Sequence, residues 1–217
     1  MKRILLNITT LLLLATTPLA AQQYKEDYQI DRTKRGDINT SPGIEMVYGL
    51  MTGVNIPIMR DKHHDIKSEG SAGFMFGARW GIDLGGFEIV PEFWYYHDVM
   101  TLNNPDQGVK ADLKSDSFEV PIVFGIDLGR RMKFNFGPSF SLASSAELEY
   151  GDETFDFGRY QSTCGYFFGL SYTAWDHWVA DVRYTGRFVS SENQWPNSDT
   201  QYDYRYYGVT VAVGYRF

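Results

Sequence analysis

The sequence predicts an all-β fold, an eight-stranded antiparallel up-and-down transmembrane β-barrel, on three observations. From residue 44 onward, apolar side chains recur at every second position in eight successive segments, a period typical of strands with two unlike faces. The connections between the segments alternate long and short, as in barrels with long extracellular loops and short periplasmic turns. The more polar face is rich in glycine and serine, which suit the crowded interior of a narrow barrel.

The first four strands are predicted over about 44–57, 72–84, 87–97 and 118–128. In the second of them, alternate residues from Ala72 to Leu84 are apolar, and glycine, Arg79 and Asp83 take positions between them. The Gly85-Gly86 pair that follows is typical of a tight hairpin turn. Longer polar stretches at 59–70 and 98–115 are predicted to be extracellular loops.

The last four strands are predicted over about 132–143, 160–174, 178–189 and 204–217. The connections at 129–131 and 176–177 are short, whereas those at 144–159 and 190–203 are long. In the final strand the apolar positions end on Phe217, as in the terminal strand of a bacterial outer-membrane barrel. We therefore expect an assembly signal, to be recognised by the barrel-assembly machinery, at Val213, Tyr215 and Phe217.

The size of the side chains predicts which face points outward. The apolar face carries bulky residues, whose volume exceeds what an eight-stranded interior can hold, and this favours a membrane barrel over a soluble barrel with the faces exchanged. Aromatic residues near the strand ends predict two interfacial girdles. The candidates are Trp80, Phe87, Trp175, Trp178, Tyr215 and Phe217 on the turn side, and Trp94, Tyr95, Phe188 and Tyr207 on the loop side.

The amino-terminal residues predict export. Lys2 and Arg3 precede a short apolar run and the sequence PLAA, the pattern of a secretory signal peptide over residues 1–21. An uncleaved anchor is the alternative, although the run is shorter than the roughly 20 residues that a spanning helix needs. Residues 22–43 are polar and are expected to form a periplasmic extension, and residues 44–217 the barrel.

Composition argues against several classes of function. The net charge of −7 is opposite in sign to the basic surface of a nucleic-acid-binding protein, so no nucleic-acid partner is expected. Cys164 is the only cysteine, which excludes an intramolecular disulfide and a cysteine metal cluster. We expect no cofactor.

Charged residues on the small-residue face are predicted to line the lumen. Because an unpaired charge in a narrow lumen is costly, we expect them to form a structural network of ion pairs. A path for protons or solutes is the alternative, although eight strands leave no aqueous channel. The predicted network consists of Glu45, Arg79, Asp83, Glu88, Glu92, Glu119, Asp127, Lys133, Asp181, Arg183, Arg187 and Arg216.

Residues in or beside the loops suggest other sites, each of which has solvated polar loops or girdle residues as the ordinary explanation. A catalytic or metal site is conceivable from His63, His64, Asp65, His97 and Asp98. A divalent-cation site is conceivable in the acidic loop, from Glu147, Glu149, Asp152, Glu153 and Asp156. Contacts to a partner or glycan are conceivable from Trp195, Pro196, Tyr202 and Tyr204.

Five short motifs, taken in order, resemble those of a known family. They are IVPEFWY at 89–95, FEVPI at 118–122, FGP at 136–138, DVRY at 181–184 and VGYRF at 213–217. Over about residues 44–217 the chain resembles the PorT-type outer-membrane β-barrel family common in Bacteroidota, a relative of OmpA- and OmpX-like small barrels. It departs from the family pattern at Val90-Pro91, where Gln-Pro is usual, and lacks Asn-Gly-Leu after Tyr184. The resemblance implies the fold and the bacterial outer membrane but no single activity.

Three functions remain open from the sequence. The first is a structural or interaction barrel, surrounded by outer-membrane lipid, whose lumen is closed and whose extracellular loops contact an outer-membrane or extracellular protein. The second is an accessory subunit of a larger outer-membrane secretion or transport assembly. The third is a barrel enzyme acting on lipid or peptide. Since no catalytic residues are predicted, we expect that the protein is not an enzyme.

Overall fold

The computed structural model describes residues 44–61, 66–104, 109–151, 153–175, 177–194 and 201–217, which form ten strands and no helix. The predicted signal peptide and extension lie outside these ranges. The strands are β1 (Glu45–Asp61), β2 (Lys67–Asp83), β3 (Phe87–Asn104), β4 (Val109–Asp127), β5 (Met132–Tyr150), β6 (Glu153–Gly158), β7 (Cys164–Ala174), β8 (Trp178–Arg187), β9 (Ser191–Gln194) and β10 (Gln201–Arg216). Within the described ranges, no helix has the length and hydropathy needed to cross a membrane.

Eight of these strands close a ring. Antiparallel pairs run in the order β1, β2, β3, β4, β5, β7, β8 and β10, and β10 pairs with β1 from Gly49–Arg216 to Asp61–Tyr204. The short strands β6 and β9 lie outside this ring and pair with β5 and β10. Closure leaves no free edge strand, whose backbone N–H and C=O groups would find no hydrogen-bond partners in lipid. The prediction of an eight-stranded antiparallel barrel is confirmed.

Side chains alternate between the lumen and the outer wall. In β1, Val47 and Met51 are buried, whereas Tyr48, Leu50 and Val54 are exposed. The same alternation produces an exposed apolar belt around the ring, to which Phe74, Phe76, Phe93, Phe118, Phe168, Leu170, Val182 and Val213 belong. So large an apolar surface matches hydrocarbon rather than water. The bulky apolar face therefore points outward, as predicted.

Trp94 differs from the girdle assignment. Its side chain is buried in the lumen, where the indole N–H donates a hydrogen bond of 2.7 Å to Glu92 Oε2. The parity of β3 explains the difference, because Phe93 and Tyr95 occupy the outward positions on either side. Trp94 is therefore part of the lumen filling.

The strands continue into the regions predicted as loops. β3 extends to Asn104 and β4 begins at Val109, so most of the predicted loop 98–115 is strand. The predicted loop 144–159 contains the end of β5 and all of β6, and β9 lies within 190–203. These extensions keep the alternation but exchange its polarity: Met100 and Leu113 are buried inside, while Lys114 is exposed outside. We infer that this exchange marks the outer limit of the hydrocarbon region.

Above this limit the barrel has an apolar core of its own, which we call the apolar plug. Its rings pack in pairs, with Tyr160 and Tyr206 edge to face at 5.6 Å between ring centroids and Phe157 and Tyr204 tilted at 5.7 Å. The plug consists of Met59, Ile66, Met100, Leu102, Ala111, Leu113, Ala146, Leu148, Phe157, Tyr160, Tyr202, Tyr204 and Tyr206. It fills the extracellular end of the lumen.

Candidate functional site

The centre of the lumenal charge network is Arg183 on β8. Its Nη1 and Nη2 atoms donate to the two oxygens of Glu92 at 2.5 and 3.1 Å, and its Nε donates to Asp181 Oδ1 at 2.6 Å. All three side chains are almost completely buried. The guanidinium carbon also lies 5.1 Å from the ring centroid of Phe167. One planar cation therefore donates hydrogen bonds to two carboxylates at once, and the second cation near Glu92 is Arg79, which lowers the cost of burying these charges.

The network continues toward the periplasmic turns. Arg79 Nη2 donates to Glu88 Oε1 at 3.0 Å, and Arg79 Nε lies 3.7 Å from Glu92 Oε1. Lys133 Nζ lies 2.8 Å from Glu88 Oε2, 2.8 Å from Asp83 Oδ2 and 3.3 Å from Asp127 Oδ1. At the rim, Arg216 Nη2 lies 3.9 Å from Asp83 Oδ2.

A second group surrounds Arg187, toward the extracellular end. Arg187 Nη2 makes a short ion pair with Glu119 Oε1 and donates to Gln161 Oε1 at 2.6 Å. Gln161 Nε2 in turn donates to Glu119 Oε1 at 3.1 Å, and Ser139 Oγ donates to Glu119 Oε2 at 2.9 Å. Gln161 was not predicted as a lumenal residue, because the predicted network listed only charged side chains; it lies within the predicted strand 160–174, but β7 begins only at Cys164. Only its neighbourhood in three dimensions identifies it.

The structure thus brings together eleven of the twelve predicted lumenal charges. These are Arg79, Asp83, Glu88, Glu92, Glu119, Asp127, Lys133, Asp181, Arg183, Arg187 and Arg216, each with an opposite charge within 4 Å. Glu45 lies opposite Asp83 in the β1–β2 register and is exposed at the rim. No ion pair of Glu45 occurs within the part of the chain that the structure describes.

A buried polar cluster around Asp98 lies above the ion pairs. Asn55 Nδ2 donates to both Asp98 oxygens at 2.8 and 2.9 Å, and Tyr206 Oη donates to Asp98 Oδ2 at 2.9 Å. Asp98 has no exposed surface. The sequence analysis grouped Asp98 with His97 at the top of the third predicted strand, as a conceivable catalytic or metal site, and so did not predict this cluster. The missed signal is that Asp98 continues the inward positions of β3, in step with Glu92.

His97 and Asp98 do not form the catalytic or metal site that the sequence suggested. Because side chains alternate along β3, the two residues point to opposite faces of the strand. His97 Nδ1 instead lies 2.9 Å from Asp116 Oδ1 on the outer wall. His63, His64 and Asp65 lie outside the described residues. In the described ranges, no three histidine, cysteine or acidic side chains are grouped so as to hold a metal ion.

The other loop candidates also change place. Glu149 Oε1 forms an ion pair of 2.6 Å with Lys114 Nζ. Asp156 Oδ1 accepts a hydrogen bond of 2.8 Å from the Gly158 N–H, so both carboxylates already have local partners. Tyr202 and Tyr204 are buried in the apolar plug and are not accessible contact aromatics. Asp152, Trp195 and Pro196 lie outside the described residues.

The closed ring of antiparallel strands and the exposed apolar belt define a small outer-membrane β-barrel protein. Among solved structures, the chain is similar to Neisserial surface protein A, with 15% identity, a TM-score of 0.51, and coverage of 78% of this chain and 97% of that one. It is also similar to Ail, the attachment invasion locus protein of Yersinia pestis, with 14% identity, a TM-score of 0.50, and coverage of 80% and 99%. At these identities the likeness shows the fold. Together with the apolar belt, that fold is one of the outer membrane.

Sequence comparison adds no family. No protein-family profile and no curated protein matches the chain.

Proposed function

We propose that the protein is a closed outer-membrane barrel that acts as a structural or interaction protein through its extracellular end. The observation that carries this proposal is the filling of the lumen. Ion pairs centred on Arg183 and Arg187 occupy its membrane-spanning part, and the apolar plug occupies the part above. We propose that the ion-pair network is structural, because eleven of its charged groups each have an opposite charge within 4 Å inside the ring, an arrangement that structural ion-pair networks commonly show.

The extracellular end supports an interaction role. Here the strands are held by backbone pairing, as between β3 and β4, and by the apolar plug. The outer surface carries paired polar groups, such as Lys110 with Glu69 at 2.8 Å and Thr101 with Asp112 at 2.7 Å. A rigid surface loses less conformational entropy on binding than mobile loops do. We therefore propose an outer-membrane or extracellular protein as the partner.

The finer identity is also a proposal. The PorT-type resemblance of the five motifs supports membership of that family, and with it the alternative of an accessory subunit in a larger outer-membrane assembly. The barrel-assembly machinery would recognise Val213, Tyr215 and Phe217, whose side chains are exposed on the lipid side. We propose no enzymatic activity, because the histidine and acid candidates of β3 lie on opposite faces.

The closed lumen predicts the absence of ion conductance. Purified protein inserted into planar lipid bilayers is expected to give no stable conductance steps at moderate voltage, because an eight-stranded interior is just wide enough for side chains to fill, and the described part of the lumen holds the ion pairs and the plug. An open porin inserted under the same conditions provides the control for bilayer quality. Stable steps from the wild-type protein would contradict the proposal and favour a channel.

The interaction role predicts contacts confined to the extracellular end. A photo-crosslinking residue at outward position Thr101 or Glu147 is expected to give a discrete protein adduct in intact cells. The control places the same residue at Gly129 in a periplasmic turn, where an added Cβ meets no atom within 4 Å. Adducts from none of these positions, or the same adduct from Gly129, would contradict the proposal. An outer-membrane protein in the adduct would favour the accessory-subunit alternative.

A further inference from the structure

The outer wall carries a pocket at the extracellular limit of the apolar belt. Its volume is about 620 Å³, and side chains from β1, β7, β8 and β10 line it. Its polar lining side chains include Arg60, Arg205, Tyr166, Tyr184 and Tyr207. We call this feature the arginine–tyrosine pocket.

Two arginines face each other in this pocket. Arg60 and Arg205 are directly opposite in the β1–β10 register, an arrangement that destabilises a strand pair because like charges repel. Within the described part of the chain, neither takes part in an ion pair. Asp61 also lines the pocket, but its Oδ2 accepts the backbone N–H of Asp203 at 2.8 Å. An anion bound between the two guanidinium groups would relieve their repulsion.

The chemistry of the lining selects the anion. Guanidinium groups form paired hydrogen bonds with phosphate oxygens, and two of them side by side suit one phosphate group. Tyr184 and Tyr207 stack at 6.1 Å between ring centroids, and both tyrosines are half-buried. Tyrosines at a membrane interface combine an apolar ring with a hydroxyl group that contacts polar headgroups.

A second depression on the same outer wall has a volume of about 380 Å³ and lies within the belt. Its lining is almost entirely apolar and includes Phe134, Phe168, Val182 and Val209. Tyr184 lines both depressions, so the two adjoin at its ring, the cationic one above and the apolar one below, and we call this adjoining pair the groove. A free anion would use only the upper part, whereas a lipid uses both.

We propose that this groove binds a phosphate-bearing lipid of the outer leaflet. The phosphate group lies between Arg60 and Arg205, and an acyl chain lies along Phe168, Val182 and Val209. The position of the pocket above the belt, at the end of the barrel opposite the short turns, assigns it to the outer leaflet. The groove faces away from the lumen, so this binding is independent of the closed-barrel function.

Native mass spectrometry of the detergent-solubilised, delipidated full chain tests this proposal, with lipid A and its dephosphorylated form as probes. The wild-type barrel is expected to retain lipid A at least about tenfold better than the dephosphorylated form. The R60Q/R205Q variant is expected to lose this preference, while the control variant R130Q/R131Q, which removes two charges at the periplasmic turn, keeps it. R60K/R205K is expected to retain an intermediate preference, because lysine supplies charge but no paired hydrogen bonds.

Three results would overturn the proposal. The first is equal retention of both lipids by the wild type, and the second is an unchanged preference in R60Q/R205Q. The third is complete displacement of lipid A by millimolar inorganic phosphate, which would indicate an anion site without acyl recognition. The shift in gel mobility between unboiled and boiled samples establishes that each variant is folded. If R60Q/R205Q fails this check, R60K/R205K and the phosphate competition decide the matter.

Discussion

Replacing Arg183 by leucine is expected to destabilise the folded barrel by about 3–5 kcal/mol, the usual cost of removing one partner from a buried charge network. The substitution leaves Glu92 and Asp181 buried within the lumen. Arg79, with its Nε 3.7 Å from Glu92, can compensate only part of this charge. The measurement is the free energy of unfolding in urea, with the barrel refolded into lipid vesicles.

The control for this prediction is Arg216→Leu. Arg216 belongs to the same network but lies at the partly exposed periplasmic rim, 3.9 Å from Asp83, where solvent screens the pair and a loss of at most about 1 kcal/mol is expected. Adding Glu92→Gln to Arg183→Leu is expected to recover part of the loss, because one of the two unpaired carboxylates becomes neutral. Equal effects of the two arginine substitutions would show that the lumenal ion pairs contribute no more than surface pairs.

Local alternation explains why the barrel could be predicted from sequence. Each membrane-spanning strand repeats the same two-residue pattern, so Phe74 and Phe76 on one strand and Val211 and Val213 on another independently indicate the same outward face. The inward positions that remain must hold the lumenal residues. The choice of Arg183, Glu92 and Asp181 as lumenal residues therefore required only parity.

The pairing within the lumen could not be predicted in the same way. Parity indicates that Glu92 and Arg183 point inward, but their sequence separation of 91 residues gives no indication that they meet. Gln161 lies in the part of the predicted strand 160–174 that precedes β7 in the structure, so its hydrogen bonds to Arg187 depend on the path of the chain before β7. Contacts across a lumen depend on the stagger of all the strands together.

The strand extensions were missed for a different reason. Segments such as 98–104 and 109–115 still alternate, but from residue 100 onward their outward positions are polar, as at Thr101 and Lys114. When outward is assumed to mean apolar, such a stretch resembles a loop. The relevant signal was the apolar series at Met100 and Leu102, in phase with the inward face of β3. An alternation whose polarity inverts partway along a strand indicates a barrel that leaves the membrane before it ends.

The tight packing of the strands predicts a second large effect, at Gly137 on β5. A Cβ atom added there would lie 1.9 Å from the carbonyl oxygen of Ile122 on β4 and 3.3 Å from Phe167 Cε1. Because the nearer atom belongs to the backbone of a closed ring, no change of side-chain rotamer can relieve the clash. Gly137→Ala is therefore expected to cost about 1–3 kcal/mol of unfolding free energy, the range found for overpacked cores.

Two further glycines make this prediction specific. At Gly129 an added Cβ has no neighbour within 4 Å, so Gly129→Ala is expected to change stability by at most about 0.5 kcal/mol. At Gly208 the nearest atom is Asn55 Oδ1 at 3.0 Å, a side-chain atom that can move, and an intermediate loss is expected. In urea unfolding, the loss of unfolding free energy should therefore be largest for Gly137→Ala, intermediate for Gly208→Ala and smallest for Gly129→Ala. If all three lose the same amount, the effect reflects the general conformational cost of replacing glycine, and close strand packing is not what requires Gly137.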